Sequence, residues 1–134
     1  MDKISRAAII GYGNIGKCII DALNQAPDFE IAGIIEKDSL INSIKPELPQ
    51  IPVVSSIKEL KNIDVAILSI PTRLVPKYAQ ELLVMGINTV NSYDIHGELA
   101  DLRNDLQPIA KEHNAVAVIS AGWDPGTDSI IRCI

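Results

Sequence analysis

Three glycines near the start of the chain have the spacing of a phosphate-binding turn. Gly11, Gly13 and Gly16 follow the apolar run 6–10 directly, with Tyr12, Asn14 and Ile15 between them, and a helical pattern begins there. In such a strand–turn–helix, the first glycine permits the tight turn, the second lets the backbone approach a pyrophosphate, and the third lets helix and strand pack closely. The helix N-terminus adds unpaired N–H groups and a positive dipole end. Residues 11–16 therefore predict dinucleotide binding.

Three charged residues follow the second apolar run, 29–35. Glu36 comes twenty residues after Gly16, where a carboxylate can accept hydrogen bonds from the ribose hydroxyls of adenosine. Glu36 and Asp38 favour NAD as the cofactor, because carboxylates repel the 2′-phosphate of NADP and only Lys37 could attract it. The alternative is that all three are solvated charges after a strand.

Hydroxyl groups lie at the end of the apolar run 64–70. Ser69 and Thr72 could hydrogen-bond near the pyrophosphate and the nicotinamide ribose, because ligands of such folds sit beyond the carboxyl ends of the strands. Thr72 equally suits the N-cap of the helix predicted next. The sequence leaves both uses of Thr72 open.

The segment 91–96 is unusually polar for a connection between a strand and a helix. Asp94 could hold a substrate ammonium, or it could bond its own turn backbone as an Asx motif. His96 could carry a proton, although a single histidine in a loop is more often structural or solvated. We expect a polar ligand at this segment.

The segment 122–126 holds the single tryptophan of the chain, Trp123, between glycines. An indole offers a flat apolar wall and one N–H donor. Asp124 could contact the substrate, or it could form with Pro125 the N-cap and first residue of a helix that starts near Gly126. The residues alone do not separate these two uses of Asp124.

Strands and helices that alternate along the chain must position these residues. The stretch 39–52, with three prolines, is expected to be a loop with at most one turn, and Pro108 is expected to kink or split the last long helix. The alternation predicts an α/β fold, a single Rossmann-type domain with a doubly wound parallel sheet in the order 3-2-1-4-5-6. We expect strands at 6–10, 29–35, 53–54, 64–70, 87–90 and 115–120, and helices at 14–26, 57–60, 74–85 and 99–109, with Ile15, Ile19 and Leu23 on the apolar face of the first.

Length and composition restrict the class of protein. The 134 residues fit one domain, 1–134, and 47% of them are hydrophobic, with no apolar run long enough to cross a membrane. The net charge of −5 and the lack of a basic cluster argue against a nucleic-acid partner. The first strand starts too early for a signal peptide, which favours a cytoplasmic location.

Metal binding and disulfide bonding are not expected either. The two histidines, His96 and His113, lack the spacing of metal ligands. Cys18 and Cys133 lie far apart in the sequence and are expected to be reduced and partly buried.

Taken together, these segments resemble the amino-terminal dinucleotide-binding domain of the meso-diaminopimelate dehydrogenases. The resemblance rests on residues 11–16, on Ser92-Tyr93-Asp94 with His96, and on 122–126 followed by Ser129 and Arg132. It implies reversible, NADP-dependent oxidative deamination of meso-2,6-diaminopimelate to L-2-amino-6-oxopimelate and ammonia. It further implies that Asp94 and Asp124 are catalytic carboxylates that meet the small amino acid substrate, and that Trp123 borders the same pocket.

The chain departs from this family in three ways. Glu36-Lys37-Asp38 stands where a basic pair is usual, and Asn91 stands where aspartate is frequent. The family also has a second domain for substrate and homodimer contacts, which we expect to be absent from 1–134, so this chain alone should be inactive. Two alternatives stay open: a free-standing NAD(P)-sensing regulatory module, or the cofactor domain of another amino acid or sugar dehydrogenase.

Overall fold

The computed structural model describes residues 3–134, so Met1 and Asp2 of the predicted domain lie outside the described residues. The strands β1 to β6 are Ser5–Ile10, Phe29–Ile35, Val53–Val54, Val65–Leu68, Asn88–Asn91 and Ala117–Val118. The helices α1 to α5 are Asn14–Asn24, Asp38–Ile44, Val75–Val84, Leu99–Glu112 and Thr127–Ile131. The strands form a parallel sheet in the order β3-β2-β1-β4-β5-β6, which confirms the predicted Rossmann-type topology. The chain divides into two compact units, one ending at Ser69 and the other beginning at Ile70.

The first unit is built around β1. This strand pairs in parallel with β2 and with β4, and Ala7, Ala8 and Ile9 have no exposed surface. An uninterrupted apolar run is what a parallel strand covered on both faces requires. Ile20 of α1 packs with Ile9 and with Ile34 of β2. This packing holds α1 against the strands that flank the glycine turn.

The second unit has a core formed mainly by α3 and α4. Ala79 and Leu83 from α3 pack with Leu102 and Leu106 from α4. The ring of Tyr93, from the loop after β5, belongs to the same cluster. Helical spacing of three or four residues places these side chains on one face of each helix. The core therefore reaches directly into the polar loop that carries Asp94.

The stretch 39–52 is more regular than expected. Helix α2 occupies two turns of it, and a short 3₁₀ helix, Lys45–Glu47, follows. All three prolines of the stretch come after α2, and Pro46 lies at the start of the 3₁₀ helix, where a missing N–H costs no internal hydrogen bond. Buried Ile44 anchors α2. The prediction of a mostly irregular loop is wrong.

Pro108 does not split α4, which is continuous from Leu99 to Glu112. Pro108 is exposed, so the carbonyl that loses its helical donor can bond to water. Leu102, Leu106 and Ala110 are buried along the opposite face. Their burial stabilises the helix across the proline.

Helix α1 is rotated relative to the prediction. Ile15 is 61% exposed, whereas Gly16 and Ile20 are buried. Ile19 and Leu23 lie partly buried at the flank of the face. The close approach of Gly16 to Gly11 sets this rotation and turns Ile15 outward. The strands β4 and β6 are also shorter than predicted, and both cysteines are unpaired but exposed, not partly buried.

Candidate functional site

The glycine turn between β1 and α1 is closed at one end and open at the other. Gly11 has a φ of +100°, a conformation that favours glycine, and its N–H donates to the Ile35 carbonyl at 2.9 Å. A Cβ at Gly16 would clash with the Gly11 carbonyl oxygen and lie 3.1 Å from the Ser69 hydroxyl oxygen. Gly13 is extended, and a Cβ there would meet nothing within 4 Å. A ligand can therefore approach the backbone at Gly13.

The first turn of α1 presents backbone N–H groups without a side-chain cap. The preceding residue is Gly13, no side chain caps the helix, and no acidic residue lies in its first turn. The first internal helical bond runs from the Lys17 N–H to the Gly13 carbonyl at 3.0 Å. The N–H groups before Lys17 have no helical carbonyl to bind. This end of the helix has the donors and the dipole that bind a phosphate group.

Glu36 is held beside the turn by two backbone groups. Its Oε2 accepts from the Tyr12 N–H at 3.0 Å, and its Oε1 accepts from the Lys37 N–H at 2.9 Å. A carboxylate has about four acceptor positions, so both oxygens can still accept from hydroxyl groups. Lys37 and Asp38 are exposed. The reading of Glu36 as a merely solvated charge is wrong, because its carboxylate orders the turn.

A cluster of Tyr12, Lys17 and Glu47 lies next to this turn, and sequence reasoning missed it. The Tyr12 hydroxyl donates to Glu47 Oε2 at 3.0 Å, and Lys17 Nζ lies 3.5 Å from the same oxygen. Lys17 Nζ also lies 4.8 Å from the centre of the Tyr12 ring. Partial burial and the neighbouring Glu47 carboxylate raise the pKa of the Tyr12 phenol. Glu47 is 35 residues from Tyr12, so no local pattern could reveal the contact.

Ser69, the residue after β4, is hydrogen-bonded to the glycine turn. Its hydroxyl oxygen lies 3.0 Å from the Ile10 carbonyl oxygen and 2.9 Å from the Gly11 carbonyl oxygen. The hydroxyl has one proton, which these two acceptors share, and its lone pairs stay available to an N–H or O–H donor. Ser69 thus supports the backbone at the first glycine.

The loop after β5 is fixed by hydrogen bonds to its backbone. The Tyr93 N–H donates to Asn91 Oδ1 at 3.1 Å, and the Asp94 N–H donates to Thr72 Oγ1 at 3.3 Å. The Asx motif therefore belongs to Asn91 and not to Asp94. Thr72 caps neither its own 3₁₀ helix nor α3, so its predicted capping role is wrong.

The Asp94 carboxylate is exposed, and within residues 3–134 it has no hydrogen bond or ion pair. Asn91, in contrast, is only 2% exposed. Its Oδ1 faces the Tyr93 N–H, which leaves a buried Nδ2 that finds no acceptor in the described part of the chain. An aspartate at this position would accept the same Tyr93 bond but would add a second oxygen instead of a donor.

Asp124 lies between two basic side chains. His96 Nε2 is 4.0 Å from its Oδ1, and an Arg132 guanidinium nitrogen is 3.8 Å from its Oδ2. Arg132 also pairs with Asp128 at 2.6 Å. Helix α5 starts at Thr127 after Gly126, so Asp124 does not cap it and that alternative is wrong. Asp124 is instead a partly exposed carboxylate beside an imidazole and a guanidinium group.

A tight backbone turn presents Trp123 and Asp124. Gly122 and Gly126 pair as an isolated β-bridge, and a Cβ at Gly126 would clash with the Gly122 backbone. The Asp128 N–H donates to the Trp123 carbonyl at 2.8 Å. Because its backbone is fixed in this way, Trp123 remains 67% exposed at a defined position. An exposed indole beside a carboxylate suits a ligand with apolar and cationic parts.

Neither of two other functional classes finds support in residues 3–134. None of the described helices is long and apolar enough to span a membrane. No group of three histidine, cysteine, aspartate or glutamate side chains within these residues could hold a metal ion.

Comparison with known proteins connects these features to dehydrogenases. Residues 5–121 match the oxidoreductase family with an NAD-binding Rossmann fold. The chain is 60% identical over 133 residues to the meso-diaminopimelate D-dehydrogenase of Bacteroides fragilis, covering 98% of this chain and 44% of that protein. The chain thus spans less than half the length of this relative.

Solved structures agree with the sequence comparison. The C. glutamicum DAP dehydrogenase in complex with DAP matches with a TM-score of 0.74 and 29% identity, covering 98% of this chain and 40% of that one. An engineered D-amino acid dehydrogenase bound to NADP⁺ has the same TM-score and identity, over 96% of this chain and 40% of its own. With its Rossmann topology and glycine turn, this chain belongs to the oxidoreductase family with an NAD-binding Rossmann fold.

Proposed function

We propose that the chain is the dinucleotide-binding part of a dehydrogenase that converts meso-2,6-diaminopimelate to L-2-amino-6-oxopimelate and ammonia. The 60% identity to a meso-diaminopimelate D-dehydrogenase across 98% of the chain carries this proposal. The exposed carboxylates of Asp94 and Asp124 support it, because an amino acid substrate brings an ammonium group. The same identity favours an enzyme over a sensing module.

The residues of the first unit fit a nicotinamide dinucleotide. Gly13 and the N–H groups at the start of α1 would hold the pyrophosphate, and Glu36 would accept from the adenosine ribose. Tyr12 and Ser69 support the turn through the contacts described above. When bound, the nicotinamide accepts the hydride that leaves the amine-bearing carbon. The part of the first unit in this chemistry is to bind and orient the cofactor.

The carboxylates of the second unit would act on the substrate amine. As the amine becomes an iminium, a proton must leave the ammonium group, and positive charge remains to be stabilised. Asp94 and Asp124 would orient the ammonium, and either could accept the proton directly or through water. The exposed indole of Trp123 would cover one side of the reacting carbon during hydride transfer. Water would then add to the iminium carbon, which supplies the oxygen of the oxo group and releases ammonia.

A substrate screen tests this function. The longer protein that carries this chain should reduce NAD(P)⁺ with meso-diaminopimelate and release one ammonia for each cofactor reduced. The proposed product keeps the L-centre, so the D-centre of the meso substrate is the one oxidised. The LL isomer, which lacks a D-centre, should be oxidised at least about 100-fold more slowly, because the ammonium of an L-centre would be misplaced. If another amino acid or a sugar is oxidised and meso-diaminopimelate is not, the proposed substrate is wrong.

The residues that follow β2 bear on the choice between NAD and NADP. We propose that NAD is preferred over NADP, because Glu36 is fixed where the 2′-group of the ribose is expected and Asp38 adds negative charge nearby. Lys37 is the single basic side chain in this segment. A 2′-phosphate would meet two carboxylates and one ammonium group, whereas a 2′-hydroxyl can donate to Glu36.

Titration of the chain with both reduced cofactors checks this preference. NADH is expected to bind at least about tenfold more tightly than NADPH, a difference of about 1.4 kcal/mol. The substitution Glu36→Gln should narrow the gap by strengthening NADPH binding relative to NADH. Asp28→Asn is the matched control, because it removes one charge from an exposed position before β2, away from the glycine turn. Tenfold tighter binding of NADPH to the unaltered chain would overturn the proposal.

We also propose a cytoplasmic location. The thiols of Cys18 and Cys133 are both unpaired and exposed, which fits a compartment that keeps thiols reduced.

A further inference from the structure

We infer that Tyr93 and Glu98 are positioning residues that hold Asp94 in place for the substrate. This inference rests on the proposed function, because Asp94 matters only if it meets a ligand. Tyr93 is the buried residue next to Asp94. The sequence assigns Tyr93 no role beyond membership of the Ser92-Tyr93-Asp94 segment.

The Tyr93 ring anchors the loop in the core of the second unit. Tyr93 is only 3% exposed, and it belongs to the cluster of α3 and α4 that includes Val75, Ala79 and Leu102. Asp94, the next residue, is exposed. The loop therefore moves from the packed core to solvent in a single residue, and a shift of the ring would move the Asp94 backbone with it.

Backbone hydrogen bonds hold Tyr93 and Asp94 from three sides. The Tyr93 N–H donates to Asn91 Oδ1 at 3.1 Å, and its carbonyl accepts from the Ser120 hydroxyl at 3.1 Å. The Asp94 N–H donates to Thr72 Oγ1 at 3.3 Å. A side chain binds each of these three backbone groups. Such an arrangement fixes a loop that no helix or strand ladder can fix.

The Tyr93 hydroxyl adds a fourth attachment through Glu98. It donates to Glu98 Oε2 at 2.5 Å, and the Arg73 guanidinium binds the same carboxylate at 3.1 and 3.3 Å. The hydrogen bond to Glu98 raises the pKa of the Tyr93 phenol, and the bonds from Tyr93 and Arg73 lower the pKa of the Glu98 carboxyl. Charge-assisted bonds of this kind are short and directional. Tyr93 is thus fixed at both its backbone and its ring tip.

The Asp94 carboxylate therefore projects from a backbone segment that is held in place. The Asp94 carboxylate has no partner within residues 3–134, although its backbone is bound. A free side chain on a fixed backbone can meet the substrate ammonium without first breaking a protein contact, which lowers the reorganisation needed for reaction. Removing the contacts that fix the Asp94 backbone should therefore slow turnover more than it weakens substrate binding.

Amide hydrogen exchange in the 134-residue chain tests, without any substrate, whether Tyr93 and Glu98 fix the Asp94 backbone. Tyr93→Phe keeps the buried ring but removes the hydroxyl, and it should raise the exchange rate of the Asp94 amide about tenfold. Tyr78→Phe, on α3 and outside this network, is the matched control and should leave that rate unchanged. Glu98→Ala should act like Tyr93→Phe, whereas Glu98→Gln retains an acceptor for the hydroxyl and should restore most of the protection. Unchanged Asp94 exchange in Tyr93→Phe would overturn the inference.

Kinetics of the longer protein then test whether fixing the Asp94 backbone through Tyr93 contributes to turnover. With meso-diaminopimelate, Tyr93→Phe should lower kcat about tenfold while the substrate KM and the NADH Kd change less than about twofold. A parallel loss in Tyr78→Phe, or a rise in KM with unchanged kcat, would overturn the positioning role. A wild-type protein that fails to oxidise meso-diaminopimelate would refute the proposed function, and the exchange experiment would still decide whether Tyr93 fixes the Asp94 backbone.

Discussion

Replacing Gly13 with alanine is expected to weaken NADH binding at least about tenfold, or about 1.4 kcal/mol, without destabilising the fold. A Cβ at this position meets nothing within 4 Å, and the backbone is extended with a φ of −82°, which alanine adopts freely. The free energy of unfolding should stay the same or rise by about 0.4–1 kcal/mol, because alanine restricts the unfolded chain. The added methyl group would occupy the space through which a pyrophosphate reaches the backbone. Calorimetric titration and urea denaturation measure the two effects separately.

The companion substitution Gly16→Ala should weaken binding for a different reason, because it destabilises the fold. A Cβ at Gly16 would clash with the Gly11 carbonyl oxygen, so α1 must move away from β1. Overpacking of this kind typically costs about 1–3 kcal/mol of stability, and binding should fall because the turn is displaced. The two variants therefore separate loss of binding from loss of folding. Wild-type affinity in Gly13→Ala would show that no ligand approaches the turn there.

The second large effect is expected at the substrate carboxylates. In the longer protein, Asp94→Asn and Asp124→Asn should each lower kcat/KM for meso-diaminopimelate about 100-fold, a typical loss for a group that transfers a proton or stabilises charge. The amide is nearly the same size as the carboxylate, so the fold should be unaffected. The NADH Kd should be unchanged, because the proposed cofactor contacts lie in the first unit.

Asp105→Asn is the matched control for these variants. Asp105 is an exposed aspartate on α4, and its substitution should leave kcat/KM within about twofold of the wild type. The pH dependence separates the two candidates, since the variant that lacks the general base should lose the rise of kcat/KM with pH. Full activity of both Asp94→Asn and Asp124→Asn would exclude these carboxylates from the reaction.

The sequence predicts the features that depend on local spacing. The glycine turn, the buried strand β1 and the order of the six strands follow from short motifs and from the alternation of apolar runs with helical patterns. The topology was accessible because right-handed crossovers leave few arrangements for such a pattern. The same reasoning places Glu36 at the end of β2.

Features that depend on distant contacts were not accessible in this way. Glu47 reaches Tyr12 across 35 residues, and Ser69 bonds to Gly11 across 58 residues, so neither pair leaves a periodic signal. The expected irregular loop at 39–52 and the expected split at Pro108 are both absent, because the exposure of these prolines is set by tertiary packing. The exclusion of Asp124 as a helix cap required the actual start of α5 at Thr127. Burial and long-range hydrogen bonds decide these cases.

The most direct measurement is the wild-type arm of the cofactor titration. Calorimetry of the unaltered 134-residue chain with NADH should give saturable binding of one dinucleotide per chain, and ADP-ribose, which keeps the pyrophosphate and adenosine, should compete with it. This result is expected because the glycine turn, the open approach at Gly13 and the start of α1 all lie within the chain. Absence of binding by both NADH and NADPH at millimolar concentration, with the chain folded, would contradict the account.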